Sequence, residues 1–517
     1  MVRIRAPELS QSLPWLNCDA FGGTLSRDHR PLSLKTLRGQ IVLLDFWTYG
    51  CINCLHVIPD LEYLEQKYSK RLTIISIHTA KFDGEQNLES IKQAILRYGI
   101  THPVVVDRNR TLWDHYAIRA YPTFVLIDPQ GRIVTTIAGE GRRQVLSDLI
   151  QHLIEEQEGE GTLSDNSVAA TFNLPMLISP LAFPGKVLAD QLSDTLFISD
   201  TGNHRLVMTA LDGTLKAIIG TGAAGSQDGS WGTAQFSAPQ GMALDASGQN
   251  LYVADAGNHL LRQINLWQKE VITLAGTGIQ SRLLFPHGGT LNIDLNSPWD
   301  LTILGNKLYV AMAGSHQIWV VDLSQQKLQT FMGTGAEYCV DGSPDIAAFA
   351  QPQGITSDGT QLFVADSETS SIRAISLSEI PTVRTLCGLE QLFDFGDAFG
   401  GRTHRDGVGI EVQLQHCSGI TYGRKSLWIA DSYNHKIKQI DPVTRTCRSI
   451  AGGDSGFEDG MGVAARFYEP SGLAYASDRL YIADTNNHAI RCLNLDSLEV
   501  TTLPIPQLCS PYVCVPN

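Results

Sequence analysis

The spacing of apolar positions changes once along the 517-residue chain, near residue 157. Before that point, short apolar runs rich in β-branched residues alternate with segments whose apolar residues recur every three or four positions. We therefore predict an α/β domain over residues 1–157, with a left-handed helix cap at Gly99 and an acidic, glycine-bearing linker over 158–170. The predicted strands lie within 40–47, 71–79 and 123–128, and the predicted helices within 55–68, 88–98 and 142–156.

Residues 171–517 follow a different pattern, in which one unit recurs six times. Most copies contain a strand such as LYVAD, a turn of the form Asp-x-x-Asn-His, and further apolar runs on either side. Four strands in each of six units predict an all-β domain, a six-bladed β-propeller in which neighbouring sheets bury one another. The residue that opens the turn recurs every 53–65 positions, at Asp200, Asp255, Met312, Asp366, Asp431 and Asp484.

A second signature, Asp-Gly, stands eleven residues before a proline in three of these units. In an antiparallel meander, the connection between the second and third strands lies at the same end as the connection to the next blade. We therefore expect both signatures at one end of the propeller. Asp and Asn side chains cap such turns through backbone hydrogen bonds, so we interpret the turns as structural. Candidate rim contacts are His204, His259, His316, His435 and His488.

Charge and hydropathy narrow the classes of partner. The net charge is −14, and residues 166–517 carry 21 basic and 33 acidic side chains. An acidic surface repels phosphate backbones, so we expect no nucleic acid partner. No run of 18 apolar residues occurs, and the first residues lack the apolar core of a secretory signal. We expect no membrane association and a cytoplasmic location.

The segment LLDFWTYGCINCLHVIPDL carries the candidate chemistry. It places Cys51 and Cys54 between a predicted strand and a predicted helix, where unpaired N–H groups and the helix dipole favour a thiolate. We expect Cys51 to be exposed and Cys54 to lie deeper. A zinc site is disfavoured because no second Cys or His pair has comparable spacing, and we expect no cofactor. Pro122 precedes a predicted strand in a setting that favours a cis peptide.

Together these motifs resemble the NHL repeat-containing protein 2 family, in which a thioredoxin-like domain of the TlpA or redoxin type is joined to an NHL-type propeller. In the first domain, the resemblance rests on the segments TYGCINCLHVIPDL, SIHTAKF and GITHPVVVD. APQGMAL and YEPSGLAY carry it in the second. The resemblance implies a thioredoxin fold for residues 1–157 and a six-bladed propeller for residues 171–517.

The resemblance also implies roles for individual residues. Asp45, six residues before Cys51, matches a buried acid that assists proton transfer at Cys54. The segment 121–123 matches the loop that lies against the cysteine pair and presents backbone to substrates. The implied substrate-binding residues are Tyr121, Pro122, Thr123 and Trp47.

We predict from these features a thiol–disulfide oxidoreductase whose propeller recruits a protein substrate or partner at one face. A non-enzymatic scaffold with a vestigial redox site is the alternative. A thioredoxin-fold peroxidase is less favoured, because Thr48 stands three residues before Cys51 but Leu44 occupies the position expected for proline. A hydrolase or lyase site in the propeller channel stays open. Ile52-Asn53 replaces the usual Gly-Pro between the cysteines, so the redox direction and the reducing partner stay open as well.

The remaining cysteines show no ligand spacing, and we expect most of them to pack as small apolar residues. Cys509 and Cys514 are five residues apart near the end of the chain. We expect two unpaired thiols there, with a second disulfide as the alternative.

Overall fold

A computed structural model of the chain describes residues 3–10, 12–17, 31–164, 174–175, 177–388 and 404–511. The chain divides into two compact units, Met1–Met176 and Leu177–Asn517. The first unit alternates helices and strands, and the second consists of strands joined by short turns. This organisation, a thioredoxin-like α/β domain followed by a six-bladed propeller, confirms the predicted fold class.

A six-stranded sheet forms the centre of the first unit. Its strands are β1 (Trp15–Leu16), β2 (Ile41–Trp47), β3 (Leu72–His78), β4 (Val104–Val106), β5 (Thr123–Ile127) and β6 (Ile133–Ala138). They are ordered β1-β4-β3-β2-β5-β6, with β2, β3 and β4 parallel to one another and β1, β5 and β6 paired antiparallel. Every residue of β2 and β3 is buried, which explains why both strands are nearly continuous apolar runs.

Four α-helices accompany this sheet in the described residues: α1 (Ile52–Lys67), α2 (Leu88–Tyr98), α3 (Thr111–His115) and α4 (Arg143–Gly159). Leu61 of α1 and Ile150 of α4 share one apolar core with Leu43 of β2. Two local predictions are confirmed. Gly99 caps α2 with a φ of 67°, and the Tyr121–Pro122 peptide is cis.

The second unit is a propeller of six antiparallel meanders. Blade one consists of β7 (Val187–Asp190), β8 (Thr195–Asp200), β9 (Arg205–Thr209) and β10 (Leu215–Ile219). Blade two has β11 (Gly229–Ser230), β12 (Pro239–Leu244), β13 (Asn250–Asp255), β14 (Leu260–Asn265) and β15 (Glu270–Ala275). Blade three has β16 (His287–Gly289), β17 (Pro298–Leu304), β18 (Lys307–Met312), β19 (Gln317–Asp322) and β20 (Lys327–Met332).

The other three blades repeat this order. Blade four has β21 (Pro352–Ser357), β22 (Gln361–Asp366), β23 (Ser371–Ser376) and β24 (Val383–Gly388). Blade five has β25 (Gly407–Val408), β26 (Gly419–Gly423), β27 (Ser426–Asp431), β28 (Lys436–Ile440) and β29 (Thr446–Gly452). Blade six has β30 (Gly460–Met461), β31 (Pro470–Ala476), β32 (Arg479–Asp484), β33 (Ala489–Asn494) and β34 (Glu499–Thr502). Each of the short strands β11, β16, β25 and β30 pairs with the last, outermost strand of its own blade.

The two recurring signatures meet at a buried arginine in blade two. Arg262 Nη1 lies 2.9 Å from Asp255 Oδ2, and its Nη2 lies 2.6 Å from Asp228 Oδ1. Both signatures therefore lie at the same end of the blade, as predicted. Blades four, five and six repeat the arrangement, with Arg373 between Asp366 and Asp341, Lys438 between Asp431 and Asp406, and Arg491 between Asp484 and Asp459.

In blade three, different residues occupy all three positions of this arrangement of one buried cation between two aspartates. Met312 stands in place of the turn aspartate, Trp319 in place of the arginine, and His287 in place of the aspartate of Asp-Gly. Met312 and Trp319 are fully buried, and Trp319 Nε1 donates to Gln317 Oε1 at 2.9 Å. Replacing only one member of the ion pair would leave an uncompensated buried charge, so the substitutions are explained as a set.

The histidines of the turns join neighbouring blades. Each lies in the left-handed backbone region, and its Nδ1 accepts a hydrogen bond from a backbone N–H of the next blade at 3.0–3.1 Å. In blade four, Ser370 Oγ takes this place and accepts from the N–H of His416 at 3.0 Å. These contacts confirm the structural interpretation of the turns. The donors are Ala238 to His204, Ser297 to His259, Gln351 to His316, Glu469 to His435, and Phe183 to His488.

The segment after the last blade strand lies against blade one. Arg205 pairs with Asp200 at 2.8 Å, and its Nη2 donates to the carbonyl of Cys509 at 2.9 Å. Leu508 is buried in a core that includes Leu196 of blade one. Cys509 is disulfide-bonded, so the expectation of an unpaired thiol there is wrong: this segment is held in place rather than free. Cys514 lies outside the described residues.

Candidate active site

Cys51 and Cys54 lie where β2 is followed by α1. Cys51 occupies the N-cap of the helix, and the N–H groups of Cys54 and Leu55 bond to its carbonyl at 3.0 and 3.1 Å. Neither cysteine forms a disulfide, and their exposures are 3% for Cys51 and 1% for Cys54. The expectation that Cys51 is exposed is therefore wrong. Residues 47–52 are all buried, so the first cysteine is covered as well as the second.

Burial raises the pKa of the Cys54 thiol well above its usual value, and the hydrogen bond with Cys51 raises it further. The backbone of Thr48 and the positive charge of Lys81 lower this pKa only in part. The thiolate is the form that attacks a disulfide. Reaction at Cys54 therefore requires a group that takes its proton.

Asp45 on β2 has the properties of such a group. It is 3% exposed, and burial raises its pKa to about 6, against the opposing effects of the His102 charge and the Ser76 hydroxyl. Ser76 Oγ donates to Asp45 Oδ2 at 3.0 Å, whereas Oδ1 has no hydrogen-bond partner among the described residues. A carboxyl group with a pKa near neutrality can both accept and release a proton at physiological pH. Its predicted action on Cys54 stays a prediction.

The connection after β3 contributes buried polar groups that sequence reasoning missed. Glu85 is fully buried and accepts hydrogen bonds from the N–H groups of Gly50, Lys81 and Phe82 at 3.1, 2.6 and 3.2 Å. It thereby fixes the residue before Cys51 to this connection. Burial raises the Glu85 pKa, and the N–H groups of Lys81 and Phe82, the Thr48 hydroxyl and the Lys81 charge lower it in part. The segment SIHTAKF, which carries part of the family resemblance, includes Lys81, but no spacing rule identified Lys81 or Glu85 as part of the site.

The predicted substrate loop lies beside the cysteine pair. Lys81 Nζ lies 5.5 Å from the centre of the Tyr121 ring. The same lysine and Cys54 both act electrostatically on the Tyr121 hydroxyl, whose pKa burial raises. That hydroxyl donates to the carbonyl of Thr79 at 2.8 Å, so the ring is held by the same connection that holds Glu85. The substrate-binding role of the loop stays a prediction.

The other predicted substrate residues are buried and locally bonded. Thr123 Oγ1 donates to the carbonyl of Ala120 at 2.7 Å, and Pro122 is buried. The Trp47 ring, 1% exposed, lies 5.4 Å from the His78 ring in an edge-on arrangement. These contacts account for the shape of the loop and of the end of β2.

The propeller channel contains a cavity of about 590 Å³. Lys186 lies in the wall of this cavity and is buried. Its Nζ lies 3.3 Å from Asp300 Oδ2 and donates to the carbonyls of Gln353 and Ser418 at 2.6 Å. The lysine thus joins blades one, three, four and five, which gives it a structural explanation. Over the described ranges, no cluster of three His, Cys, Asp or Glu side chains is arranged to hold a metal ion.

Family comparisons support the two-part organisation. Residues 39–133 match the Thioredoxin-like family, and residues 236–264 and 467–493 match the NHL repeat. The first match spans β2 through β5, including the cysteine pair. The other two cover turns of blades two and six.

Similar proteins match nearly the whole chain. It is 39% identical over 544 residues to human NHL repeat-containing protein 2, covering 97% of this chain and 72% of that protein. It is 42% identical over 523 residues to the Arabidopsis thaliana protein SUPPRESSOR OF QUENCHING 1, chloroplastic, covering 96% of this chain and 48% of that one. The chain thus spans about half the length of this plant relative. Its first unit is 27% identical over 124 residues to the thiol-disulfide oxidoreductase ResA of Bacillus thuringiensis, covering 24% of this chain and 69% of ResA.

Proposed function

The chain belongs to the NHL repeat-containing protein 2 family, and from that premise we propose that it is a thiol–disulfide oxidoreductase with Cys51 and Cys54 as its reactive pair. One observation carries the proposal. A CxxC pair in the dithiol form lies at a helix N-terminus, and on the strand before it burial raises the pKa of Asp45 to about 6. The similarity of the first unit to ResA, a protein named for this activity, supports the same chemistry.

The reaction proceeds by two disulfide exchanges. Cys51, as the thiolate, attacks one sulfur of a substrate disulfide, and the other substrate sulfur leaves as a thiolate that takes up a proton. Cys54 then gives its proton to Asp45 and attacks the Cys51 sulfur. The Cys51–Cys54 disulfide forms, and the second substrate sulfur leaves. The substrate gains two electrons and the pair loses two, so a separate dithiol reductant is needed to complete the cycle.

The surroundings of the pair favour each step. The N-cap position of Cys51 supplies backbone N–H groups and the positive end of the α1 dipole, which stabilise a thiolate. The charge of Lys81 lowers the pKa of Cys54 and so opposes the effect of burial. Tyr121, Pro122, Thr123 and Trp47 are the proposed substrate-binding residues.

We assign to the propeller the recruitment of a protein substrate or partner. Residues 166–517 hold 21 basic and 33 acidic side chains, so a partner with a basic surface is favoured by charge complementarity. None of the helices in the described ranges combines the length and apolar character needed to span a bilayer. The expected cytoplasmic location stays a prediction.

The test uses the full chain and Ellman's reagent, a small aromatic disulfide that releases a coloured thiolate at each exchange. The reduced pair is expected to release one equivalent of coloured thiolate when the Cys51 thiolate attacks the reagent, and a second when Cys54 closes the disulfide. The Cys54→Ser variant should release only the first and retain the mixed disulfide on Cys51. A Cys51→Ser/Cys54→Ser variant provides the background from the other cysteines.

Titration in glutathione buffers then gives the reduction potential of the pair. A value near about −270 mV, typical of thioredoxin, indicates a disulfide reductase, and a value above about −200 mV indicates an oxidant or isomerase. A pair that forms no Cys51–Cys54 disulfide at any glutathione ratio contradicts the proposal. The protein would then be a scaffold in which the two buried thiols only fill space.

A further inference from the structure

A row of hydrogen-bonded side chains leads away from Asp45 on the side opposite its unpartnered oxygen. Ser76 Oγ lies 3.0 Å from Asp45 Oδ2, and His102 Nε2 lies 2.7 Å from Ser76 Oγ. On the other side of the imidazole, Nδ1 lies 3.4 Å from Glu65 Oε1. The four residues come from β2, β3, the segment before β4, and α1, so that three of the elements around the cysteines contribute to one row.

Exposure rises only at the far end of this row. Asp45, Ser76 and His102 are 3%, 1% and 4% exposed, whereas the Glu65 side chain is 20% exposed. A proton on Asp45 therefore has no direct contact with bulk water, but a path of three short steps ends at a carboxylate that water reaches. Buried polar groups are normally hydrogen-bonded, and Ser76 provides this partner for both Asp45 Oδ2 and His102 Nε2.

The proton can reside on Asp45 or on His102, and both states keep the two hydrogen bonds of Ser76. With Asp45 ionised, Ser76 donates to Asp45, and the imidazolium of His102 donates through Nε2 to Ser76. With Asp45 protonated, Asp45 donates to Ser76, and Ser76 donates to Nε2 of neutral His102. In both states Nδ1–H of His102 faces the Glu65 carboxylate. Shifts along two hydrogen bonds interconvert the two states and need no movement of heavy atoms.

We propose that Ser76, His102 and Glu65 form a proton relay between Asp45 and solvent, which carries away the proton that Asp45 takes from Cys54. The proposal rests on the proposed function and deepens it. After Cys54 has attacked the mixed disulfide, the Asp45 proton passes to Ser76 as the Ser76 proton passes to Nε2 of His102. His102 then gives its Nδ1 proton to the Glu65 carboxylate, from which water takes it. Return of a proton along the same path prepares Asp45 to reprotonate Cys54 when the disulfide is reduced. Ser76, His102 and Glu65 are positioning residues, because they act through Asp45.

The test follows the second release of Ellman's thiolate, which reports closure by Cys54, between pH 5 and 9. Removing a general base typically slows a step by about 10²-fold or more, the effect expected for Asp45→Asn. His102→Gly and Ser76→Ala should slow the second release by about tenfold near pH 7, a smaller effect because the base itself remains. The first release, at Cys51, should stay within twofold of the wild type.

Chemical rescue separates a relay from a packing role. Imidazole added to His102→Gly should restore most of the second release, because it can occupy the vacated space and carry the proton. Imidazole should not restore Asp45→Asn. Glu65→Gln should slow the second release less than His102→Gly, and the matched variant Glu62→Gln, exposed on the same helix, should match the wild type.

The outcomes separate the relay from the oxidoreductase function. Wild-type rates in both His102→Gly and Ser76→Ala at every pH would overturn the relay and leave the oxidoreductase intact. A slow His102→Gly variant that imidazole does not restore would also overturn it, since the histidine would then only support the packing. Ser76→Ala removes a single hydroxyl and carries the test if His102→Gly does not fold. A wild-type protein that never gives the second release would refute the oxidoreductase function, and the relay with it.

Discussion

The Asp45 carboxylate and the Ser76 hydroxyl lie side by side on adjacent parallel strands, 3.0 Å apart, although 31 positions separate them in the chain. Both strands are buried on both faces, so each polar group is placed in an apolar environment. The pairing provides Asp45 with one hydrogen bond and leaves its other oxygen unpartnered among the described residues. A charge at this position is therefore costly, which has a measurable consequence.

Asp45→Asn should stabilise the protein at neutral pH and have little effect at acidic pH. Burial raises the folded-state pKa of Asp45 from 3.8 to about 6, so the folded state binds the proton more tightly than the unfolded state. Stability associated with this group is present below about pH 4 and is lost as pH rises through about 6. The difference between 3.8 and about 6 corresponds to at most about 3 kcal/mol at pH 7.

The measurement is chemical unfolding of wild type and variant between pH 4 and 7.5. The control is Asp148→Asn, because Asp148 is exposed on α4 in the same unit. A gain in stability that is the same at pH 4 and pH 7 would contradict the prediction. It would mean that the amide improves packing and that the Asp45 charge is not the cause.

Lys81→Met should make closure of the disulfide slower at neutral pH. The Lys81 charge lowers the Cys54 pKa, and methionine keeps the length of the side chain without the charge. The pH profile of the second thiolate release should shift to higher pH. An interaction of about 1 kcal/mol, as expected for charges several ångströms apart, would slow closure about fivefold at pH 7. Lys92→Met, on the exposed side of α2, is the matched control, and an unchanged profile for Lys81→Met would contradict the prediction.

Arg262→Met should destabilise the propeller by about 3–5 kcal/mol, because it leaves the Asp255 carboxylate buried without its cation. Blade three provides the precedent for removing both partners, since Met312 and Trp319 occupy the corresponding positions. Adding Asp255→Met to Arg262→Met should therefore cost much less than the sum of the single changes. Equilibrium unfolding of the two single variants and the double variant gives the coupling energy, expected to be about 2 kcal/mol.

Asp228 serves as the internal comparison for this double-mutant cycle of Asp255 and Arg262. Asp228 contacts the same arginine, but its side chain is 46% exposed. Asp228→Asn should change the free energy of unfolding by about 1 kcal/mol or less. Strict additivity of Asp255→Met and Arg262→Met would show that the buried ion pair is not the source of the destabilisation.

The parts of the molecule that depend on local patterns were predictable. The two apolar periods separate the α/β unit from the propeller, and the turn signatures recur because each blade uses the same hydrogen bonds. The position of Cys51 and Cys54 between a strand and a helix also follows from neighbouring residues. These features need only a short stretch of sequence to specify them.

Features that combine distant segments were not predictable in the same way. The row from Asp45 to Glu65 joins residues of four segments, and no spacing rule connects them. A signal was nevertheless present, because Ser76 interrupts the apolar run of β3, and a polar residue in a fully buried strand needs a partner. The burial of Cys51 was missed for a related reason, since the pattern around a cysteine does not reveal which distant segments cover it.

The hydrogen bond from Phe183 to His488 has a consequence for the mechanics of the propeller. Each blade takes its main strands from consecutive sequence, so five of the six junctions between blades are crossed by the chain itself. The sixth junction, between the last blade and the first, is held by this bond and by hydrogen bonds from Ser471 to the Gly185 carbonyl and from Thr485 to the Pro184 carbonyl. Packing and the terminal segment, whose Cys509 carbonyl accepts a hydrogen bond from Arg205, add to these contacts. Closure of the propeller at this junction therefore depends on contacts between residues from opposite ends of the propeller sequence, and loss of the terminal segment is expected to weaken this junction more than the other five.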